Sequence, residues 1–220
     1  LKIEDYINNI YLGDSLQIMK QFPDKSIDWI LTSPPYKDDE VPEDYYQWFS
    51  KVLKEFNRIV KHYSLIFNSS TRLIEICKRY NPERILIWYK GILKYAYRYE
   101  PIFIFNHGSN IKINKRLWTD TFKFQPMYGN RNIGWGRGLK FDYVPYSNPV
   151  QLYKGILRMI GRKGDIVLDP FIGSGTTALA CRELGIDFIG IEINEKYYKI
   201  ACEKLKQYVP TLDQFTEEES

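Results

Sequence analysis

Ile166-Val-Leu-Asp-Pro-Phe-Ile-Gly-Ser-Gly-Thr-Thr-Ala178 constrains the fold more than any other stretch of the chain. Its opening run, Ile166 to Leu168, is β-branched or aliphatic without polar alternation, as in a strand buried on both faces of a parallel sheet. Gly173 and Gly175 permit a turn with positive φ and close approach of a ligand to the backbone. Ser174, Thr176 and Thr177 are N-cap candidates for a helix over Ala178 to Leu184. A second apolar strand, Phe188 to Ile191, follows and ends at Glu192. That acid lies about 20 residues past the glycines, the spacing at which a carboxylate meets ribose hydroxyls in nucleotide-binding βαβ units. The unit reads as a nucleoside holder; the plainer alternative is a βα turn with two structural glycines and a surface glutamate.

A second signature lies far upstream, Thr32-Ser-Pro-Pro-Tyr36. Two consecutive prolines cannot continue a central strand, so the chain leaves the sheet there in a rigid extended turn. Taken together, the Asp-Pro-Phe-x-Gly-Ser-Gly-Thr loop and the Ser-Pro-Pro-Tyr tetrapeptide resemble the S-adenosylmethionine-dependent DNA amino-methyltransferases. The tetrapeptide precedes the glycine loop, the permuted order of that family's β group, and its leading Ser is most like the N4-cytosine-specific members.

At 220 residues the chain has room for one α/β domain with a sizeable core. It contains no apolar run of membrane-spanning length and no signal-peptide pattern at its first residues, so an intracellular, cytoplasmic protein is expected, with no membrane partner. Cys77, Cys181 and Cys202 have no metal-ligand spacing and fall in expected helices, as buried free thiols do. His62 and His107 are isolated and read as non-catalytic, and no metal is expected. The net charge is only +4, but residues 84–140 hold eleven Lys/Arg against two Asp/Glu, leaving the rest of the chain net acidic. Such a segment suits a polyanion.

Along the chain, Asn9 to Leu12 reads as a strand ending at Gly13-Asp14, Ser15 to Gln21 as a short helix, and Ser26 to Leu31 as a strand. Lys37 to Glu43 reads as an exposed loop. Asp44 is placed to cap a helix reaching about Val60, with Tyr45, Trp48, Phe49, Val52, Leu53, Phe56 and Ile59 as its apolar stripe. Ser64 to Phe67 is the next strand, Ser70 caps a helix to Arg79, and Arg84 to Tyr89 and Arg98 to Asn106 form an antiparallel pair. Pro149 to Ile160 is a helix, and a βαβα unit starts at Asp165. The expected fold is a Rossmann-like, doubly wound mixed sheet of about seven strands in a single domain over residues 1–220. An irregular insert spans 107–147, and residues 211–220 form a disordered tail. The insert carries Arg116, Lys123, Arg131, Trp135, Arg137 and Lys140 as candidate DNA contacts, combining charge with a stacking face; by resemblance it is a short target-recognition region.

In an open parallel sheet, ligands bind at the carboxyl ends of the strands, which here gives Asp14, Ser33 to Tyr36, Asp169 and Glu192. The resemblance implies a site for S-adenosylmethionine built from Asp14, Asp169, Pro170, Phe171, Gly173, Ser174, Gly175, Thr176, Glu192 and Ile193. Within it, Asp14 meets the adenine amino group, Asp169 lies near the methionine ammonium, Glu192 takes the ribose hydroxyls, and Phe171 and Ile193 pack by the adenosine. The cofactor has no phosphate, so the glycine loop is expected to bring N–H groups toward the methionine carboxylate. The family segment flanking the methionine pocket usually opens with His-Pro, where this chain has Asn148-Pro149. Ser33, Pro34, Pro35 and Tyr36 are the catalytic candidates. The Ser33 hydroxyl and the Pro34 carbonyl would accept hydrogen bonds from an exocyclic amino group, with Tyr36 stacked on the extruded base of double-stranded DNA. C5-cytosine chemistry is excluded, because no cysteine stands in the Pro-Cys context it uses. Cytosine N4 is preferred to adenine N6; a catalytically silent module that binds cofactor and DNA is the alternative from another class. A homodimer and a restriction-modification setting fit the family.

Overall fold

A computed structural model describes residues 2–36, 44–90, 99–110, 120–123 and 148–208. Its elements in chain order are β1 (Asn9–Leu12), α1 (Ser15–Met19), β2 (Ile27–Thr32), α2 (Tyr45–Ile59), β3 (Val60–Phe67), α3 (Leu73–Tyr80), β4 (Arg84–Tyr89), β5 (Tyr99–Asn106), β6 (Thr121–Lys123), α4 (Val150–Ile160), β7 (Ile166–Asp169), α5 (Thr176–Glu183), β8 (Asp187–Glu192) and α6 (Glu195–Gln207). The strands form one sheet in the order β1-β8-β7-β2-β3-β5-β4-β6. Neighbours are parallel except where β5 runs against β3 and β4.

Alternation along the strands divides the interior into two cores, because successive side chains leave a strand on opposite faces. Trp29, Leu31, Tyr63, Leu65, Phe67, Val167 and Phe188 face one way and meet Leu152, Tyr153, Ile156, Leu179 and Ala201 of α4, α5 and α6. Ile27, Ile30, Ile66, Leu168, Ile189 and Ile191 face the other way and meet Met19, Trp48, Phe49, Val52, Phe56 and Ile76 of α1, α2 and α3. Three helices on each face explain why the central strands carry no polar alternation. The doubly wound architecture is as expected.

Several details differ from the sequence reading. The sheet has eight strands among the described residues, not about seven, because the insert contributes β6 at the outer edge, parallel to β4 through Ile87↔Thr121 and Tyr89↔Lys123. Three residues with one buried side chain, Phe122, are too short to show a period. Strand β3 begins at Val60, directly after α2, rather than at Ser64. Ser69, not Ser70, caps the turn ahead of α3. Helix α5 starts at Thr176 behind Gly175, whose left-handed backbone occupies the cap position with no side-chain cap. Thus neither Ser174, Thr176 nor Thr177 is the N-cap. The expected Lys37–Glu43 loop, the tail at 211–220 and most of the insert lie outside the described residues.

Position is what the topology supplies. Strand β7 connects to β8 through α5 on one face, while β2 connects to β3 through α2 on the other. The crevice at the carboxyl ends of β7 and β2 is therefore the topological switch point, where α/β sheets hold ligands. The N-terminal strand β1 pairs with the last strand β8, with Leu12 opposite Glu192.

Candidate active site

Strands β2 and β7 lie side by side, with Ile30 opposite Leu168. Their ends are joined by the Thr32 hydroxyl, which donates to Asp169 Oδ1 at 2.6 Å. Asp169 is 3% exposed. Its Oδ1 also accepts the Phe171 N–H at 3.1 Å, and its Oδ2 accepts the Thr177 hydroxyl. Burial lifts this carboxyl to about 6, although all three hydrogen bonds oppose the shift. Asp169 thus ties together the end of β2, the glycine loop and the first turn of α5. All of these bonds are internal to the protein.

The chain leaves β2 through Ser33-Pro-Pro-Tyr36. Tyr36 folds back so that its hydroxyl lies 2.9 Å from Ser33 Oγ and donates to Glu100 Oε2 at 3.3 Å. Glu100 is paired with the buried ammonium of Lys90. The Arg72 guanidinium closes the turn from outside, with Nε and Nη2 donating to the Tyr36 carbonyl at 3.2 and 3.1 Å while it lies 3.7 Å over the Tyr45 ring. Burial, then the Glu100 charge, push the Tyr36 phenol well above its ordinary value, so it is a neutral hydroxyl.

The glycine loop is shaped by close packing. Gly173 and Gly175 have φ of 53° and 85°. A Cβ at Gly175 would stand 3.1 Å from Ala201 Cβ on α6, whereas one at Gly173 would meet nothing within 4 Å. The Gly173 N–H donates to Glu192 Oε2 at 2.8 Å and the Gly175 N–H to the Ile172 carbonyl at 3.0 Å. The first is committed to the end of β8 and the second within the loop, so neither is free for the methionine carboxylate toward which the loop is expected to bring N–H groups. Glu192, at the end of β8, also accepts the Asn194 N–H at 2.8 Å, and burial raises its carboxyl above the ordinary range. A carboxylate has about four lone-pair directions, so each oxygen retains acceptor capacity.

Asp14 is exposed and caps α1 through Oδ1, which accepts the Gln17 N–H at 2.9 Å. It stands next to Glu192, whose carbonyl accepts the Gly13 N–H at 2.9 Å. Leu12 and Ile193 are exposed apolar side chains beside this pair, at 47% and 70%. Phe171 packs by Trp48, centroids 5.4 Å apart, and Pro170, Ser174 and Thr176 are buried in the loop. Asn148 is also buried; its amide donates to the Tyr153 hydroxyl at 3.0 Å and its carbonyl accepts from the Thr176 hydroxyl at 3.4 Å. The tetrapeptide and the glycine loop therefore share one rim, with Asp14 and Glu192 at its other end.

Comparison with known proteins decides what that rim belongs to. A family model described as DNA methylase, of the N6/N4 group, matches residues 27–203. The chain belongs to the N6/N4 DNA methylase family. It is thus a DNA amino-methyltransferase, in the permuted arrangement. The chain is 26% identical to the type II methyltransferase M.BglII of Bacillus subtilis over 92% of its own length and 70% of that protein's. With the DNA adenine methyltransferase YhdJ of Escherichia coli K12 it shares 29% identity, over 88% of this chain and 81% of that one. The fold is similar to that of the PvuII cytosine-N4-specific DNA methyltransferase, at TM-score 0.75 and 17% identity, covering 94% and 88% of the two chains. It is also similar to M1.HpyAVI in complex with SAM, at TM-score 0.66 and 24% identity, covering 89% and 98%.

The remaining candidate residues fall elsewhere. Of the candidate DNA contacts in this methylase, Lys123 is described and exposed on the edge strand β6; Arg116, Arg131, Trp135, Arg137 and Lys140 lie outside the described residues. His107 is buried between Asn57 and Ser64, and burial lowers its imidazole to about 4. Asn106 pairs with Tyr63 near the start of β3, so this histidine sits at the opposite end of the sheet from the rim. Among the described residues, no group of three or more His, Cys, Asp or Glu is arranged to hold a metal, and no helix is long and apolar enough to cross a membrane. Sequence reasoning missed Glu100, Lys90, Arg72 and the role of Thr177. Glu100 had one visible signal, as one of only two acids in the basic stretch 84–140.

Proposed function

We propose that this methylase transfers a methyl group from S-adenosylmethionine to the N4 amino group of cytosine in double-stranded DNA. The observation that carries the reading is the Thr32–Asp169 link, which puts an acceptor-bearing tetrapeptide beside a loop suited to a nucleoside. The residues fit that donor. Gly173 opens onto unfilled space on the rim, Glu192 keeps acceptor capacity for ribose hydroxyls, and Leu12 and Ile193 provide apolar flanks for a purine. When bound, S-adenosylmethionine supplies an electrophilic sulfonium methyl.

The chain's own residues supply orientation. An exocyclic amino nitrogen is a poor nucleophile because its lone pair is delocalised into the ring. Ser33 Oγ and the Pro34 carbonyl accept hydrogen bonds from its two hydrogens, favour a pyramidal nitrogen and aim its lone pair along the line of transfer. The base must leave the duplex to reach them, and the half-buried ring of Tyr36 is the aromatic surface on which it would stack. Asp14 takes the adenine amino group, Glu192 the ribose, and Phe171 and Ile193 flank the adenosine. Residues 107–147, with Lys123 on β6 and Arg116, Arg131, Trp135, Arg137 and Lys140, form the target-recognition region.

Ser at the head of the tetrapeptide and the fold likeness to the cytosine-N4-specific PvuII enzyme favour cytosine. The similarity to YhdJ, a DNA adenine methyltransferase, favours adenine N6 as a second reading with the same mechanism. Incubating unmethylated duplex DNA with protein and S-adenosylmethionine, then analysing its nucleosides by mass spectrometry, tests both. N4-methylcytosine is expected. N6-methyladenine alone would transfer the assignment to adenine, and no modified base would contradict amino-methylation itself.

A further inference from the structure

Ser33 is useful to an amino group only if its hydroxyl accepts. A serine hydroxyl both donates and accepts, and one turned to donate would aim its hydrogen at the hydrogens of the incoming amine. The contact between Ser33 Oγ and the Tyr36 hydroxyl, at 2.9 Å, permits either direction. What lies behind Tyr36 removes that freedom.

We propose that the buried Lys90–Glu100 pair sets the direction of the hydroxyl chain Ser33–Tyr36, and so keeps Ser33 Oγ an acceptor for the substrate amine; Lys90 and Glu100 are positioning residues, and the idea rests on the amino-methylation reading above. The argument is one of donor counting. An ionised carboxylate only accepts, so the Tyr36 proton must go to Glu100 Oε2, 3.3 Å away. With its proton so placed, Tyr36 Oη can meet Ser33 only as acceptor, and the Ser33 hydrogen points inward. The lone pairs of Ser33 Oγ then face the rim.

Lys90 is what makes this polarity stable. The Lys90 and Glu100 side chains are 5% and 13% exposed, and the ammonium also lies 4.6 Å over the Trp88 ring. A buried ammonium without a counter-charge is costly. Burial holds the Glu100 carboxyl above its ordinary value, and the Lys90 charge is the largest influence opposing that shift. The register of β4 and β5, with Trp88 opposite Glu100, brings the two to the same place from the ends of neighbouring antiparallel strands.

Glu100→Gln tests the direction of the chain while keeping its shape. The Lys90 ammonium holds the amide oxygen, which turns the amide NH2 toward Tyr36. Tyr36 must then donate to Ser33, and the Ser33 hydrogen is forced outward. With unmethylated duplex DNA and radiolabelled S-adenosylmethionine, kcat should fall about 100-fold, as when one preorganised catalytic hydrogen bond is lost. KM for DNA and the dissociation constant for S-adenosylhomocysteine by calorimetry should stay within about threefold, since ground-state binding is untouched. Tyr36→Phe breaks the relay without reversing it, so kcat should fall less, by about tenfold, and Glu100→Gln should add nothing in that background. An active Glu100→Gln enzyme within threefold of the unmodified one, or a full and undiminished loss in the Tyr36→Phe background, would overturn the proposal. If Glu100→Gln fails to fold, Tyr36→Phe decides: unchanged kcat refutes the relay, and reduced kcat at unchanged KM supports it. Failure of the unmodified protein to methylate any duplex would instead sink the underlying activity, which separates the two claims.

Discussion

Thr32 Oγ1 lies 2.6 Å from Asp169 Oδ1, a hydrogen bond across 137 residues of sequence that makes one site of two distant motifs. Replacing Thr32 with Val keeps its shape and removes the donor. Leaving a buried carboxylate short of a partner costs about 1–3 kcal/mol, so Tm should fall by several degrees, at roughly 2–4 °C per kcal/mol for a chain of this size. Turnover should fall as well, because Ser33 is the next residue. Unchanged Tm and kcat in Thr32→Val would show that the bond does not organise the rim.

The raised Asp169 carboxyl gives a signed pH dependence. In the folded protein it releases its proton near 6, against an ordinary value of 3.8, so the native state binds that proton more tightly than the unfolded chain. Its contribution to stability is therefore full below pH 3.8 and is lost as pH rises to about 6. Asp169→Asn retains an acceptor for Thr32 and Phe171 and cannot ionise. Its stability relative to the unmodified protein should improve between pH 4 and 6 by on the order of 2–3 kcal/mol and then level off. Urea melts of both proteins across that range provide the check, and a constant difference would contradict the assignment.

Cofactor and substrate roles should separate in kinetics. Glu192→Ala is expected to weaken binding of S-adenosylhomocysteine by about 10–100-fold, the loss of one or two charge-assisted hydrogen bonds. Ser33→Ala should leave that binding within a few fold and lower turnover sharply. Titration calorimetry and single-turnover methylation measure the two quantities independently.

The two loop glycines should differ in what they lose. At Gly175 a Cβ meets both left-handed backbone strain and Ala201, so Gly175→Ala should destabilise by about 2–4 kcal/mol. At Gly173 the Cβ meets nothing, so Gly173→Ala should cost the fold only about 1–2 kcal/mol of backbone strain, while its methyl intrudes on the cofactor and weakens binding. Similar losses of stability and binding at both positions would remove the distinction.

Duplex affinity should fall log-linearly with salt. Replacing Arg116, Lys123, Arg131, Arg137 and Lys140 in turn should reduce the slope by about one for each that contacts a phosphate. Slopes unaffected by any of them would place the DNA elsewhere.

The rim was readable in the sequence because it depends on strand ends: Asp14, Ser33, Asp169 and Glu192 each follow an apolar run, and strand ends of a parallel sheet converge. Glu100 and Lys90 were not readable in that way. The hairpin pattern showed that β4 and β5 pair, but not that Lys90 and Glu100 turn inward to meet each other and that Glu100 takes the Tyr36 hydroxyl. The start of α5 departs from its residue-type signals for a related reason. Thr176 and Thr177 look like caps by residue type, yet the Thr177 hydroxyl is drawn to Asp169, and Gly175 takes the cap position because α6 leaves no room for a side chain there. Strand β6 was hidden by its length, with Phe122 alone to mark it.

The central claim is that the nucleoside-binding loop and the Ser33 tetrapeptide serve one reaction from a common pocket. A crystal structure with S-adenosylhomocysteine tests this most directly. It should show the ribose on Glu192 and the sulfur facing the Ser33 hydroxyl across a gap that admits an amino group. A ligand whose sulfur points away from Ser33, or one bound off this rim, would contradict it.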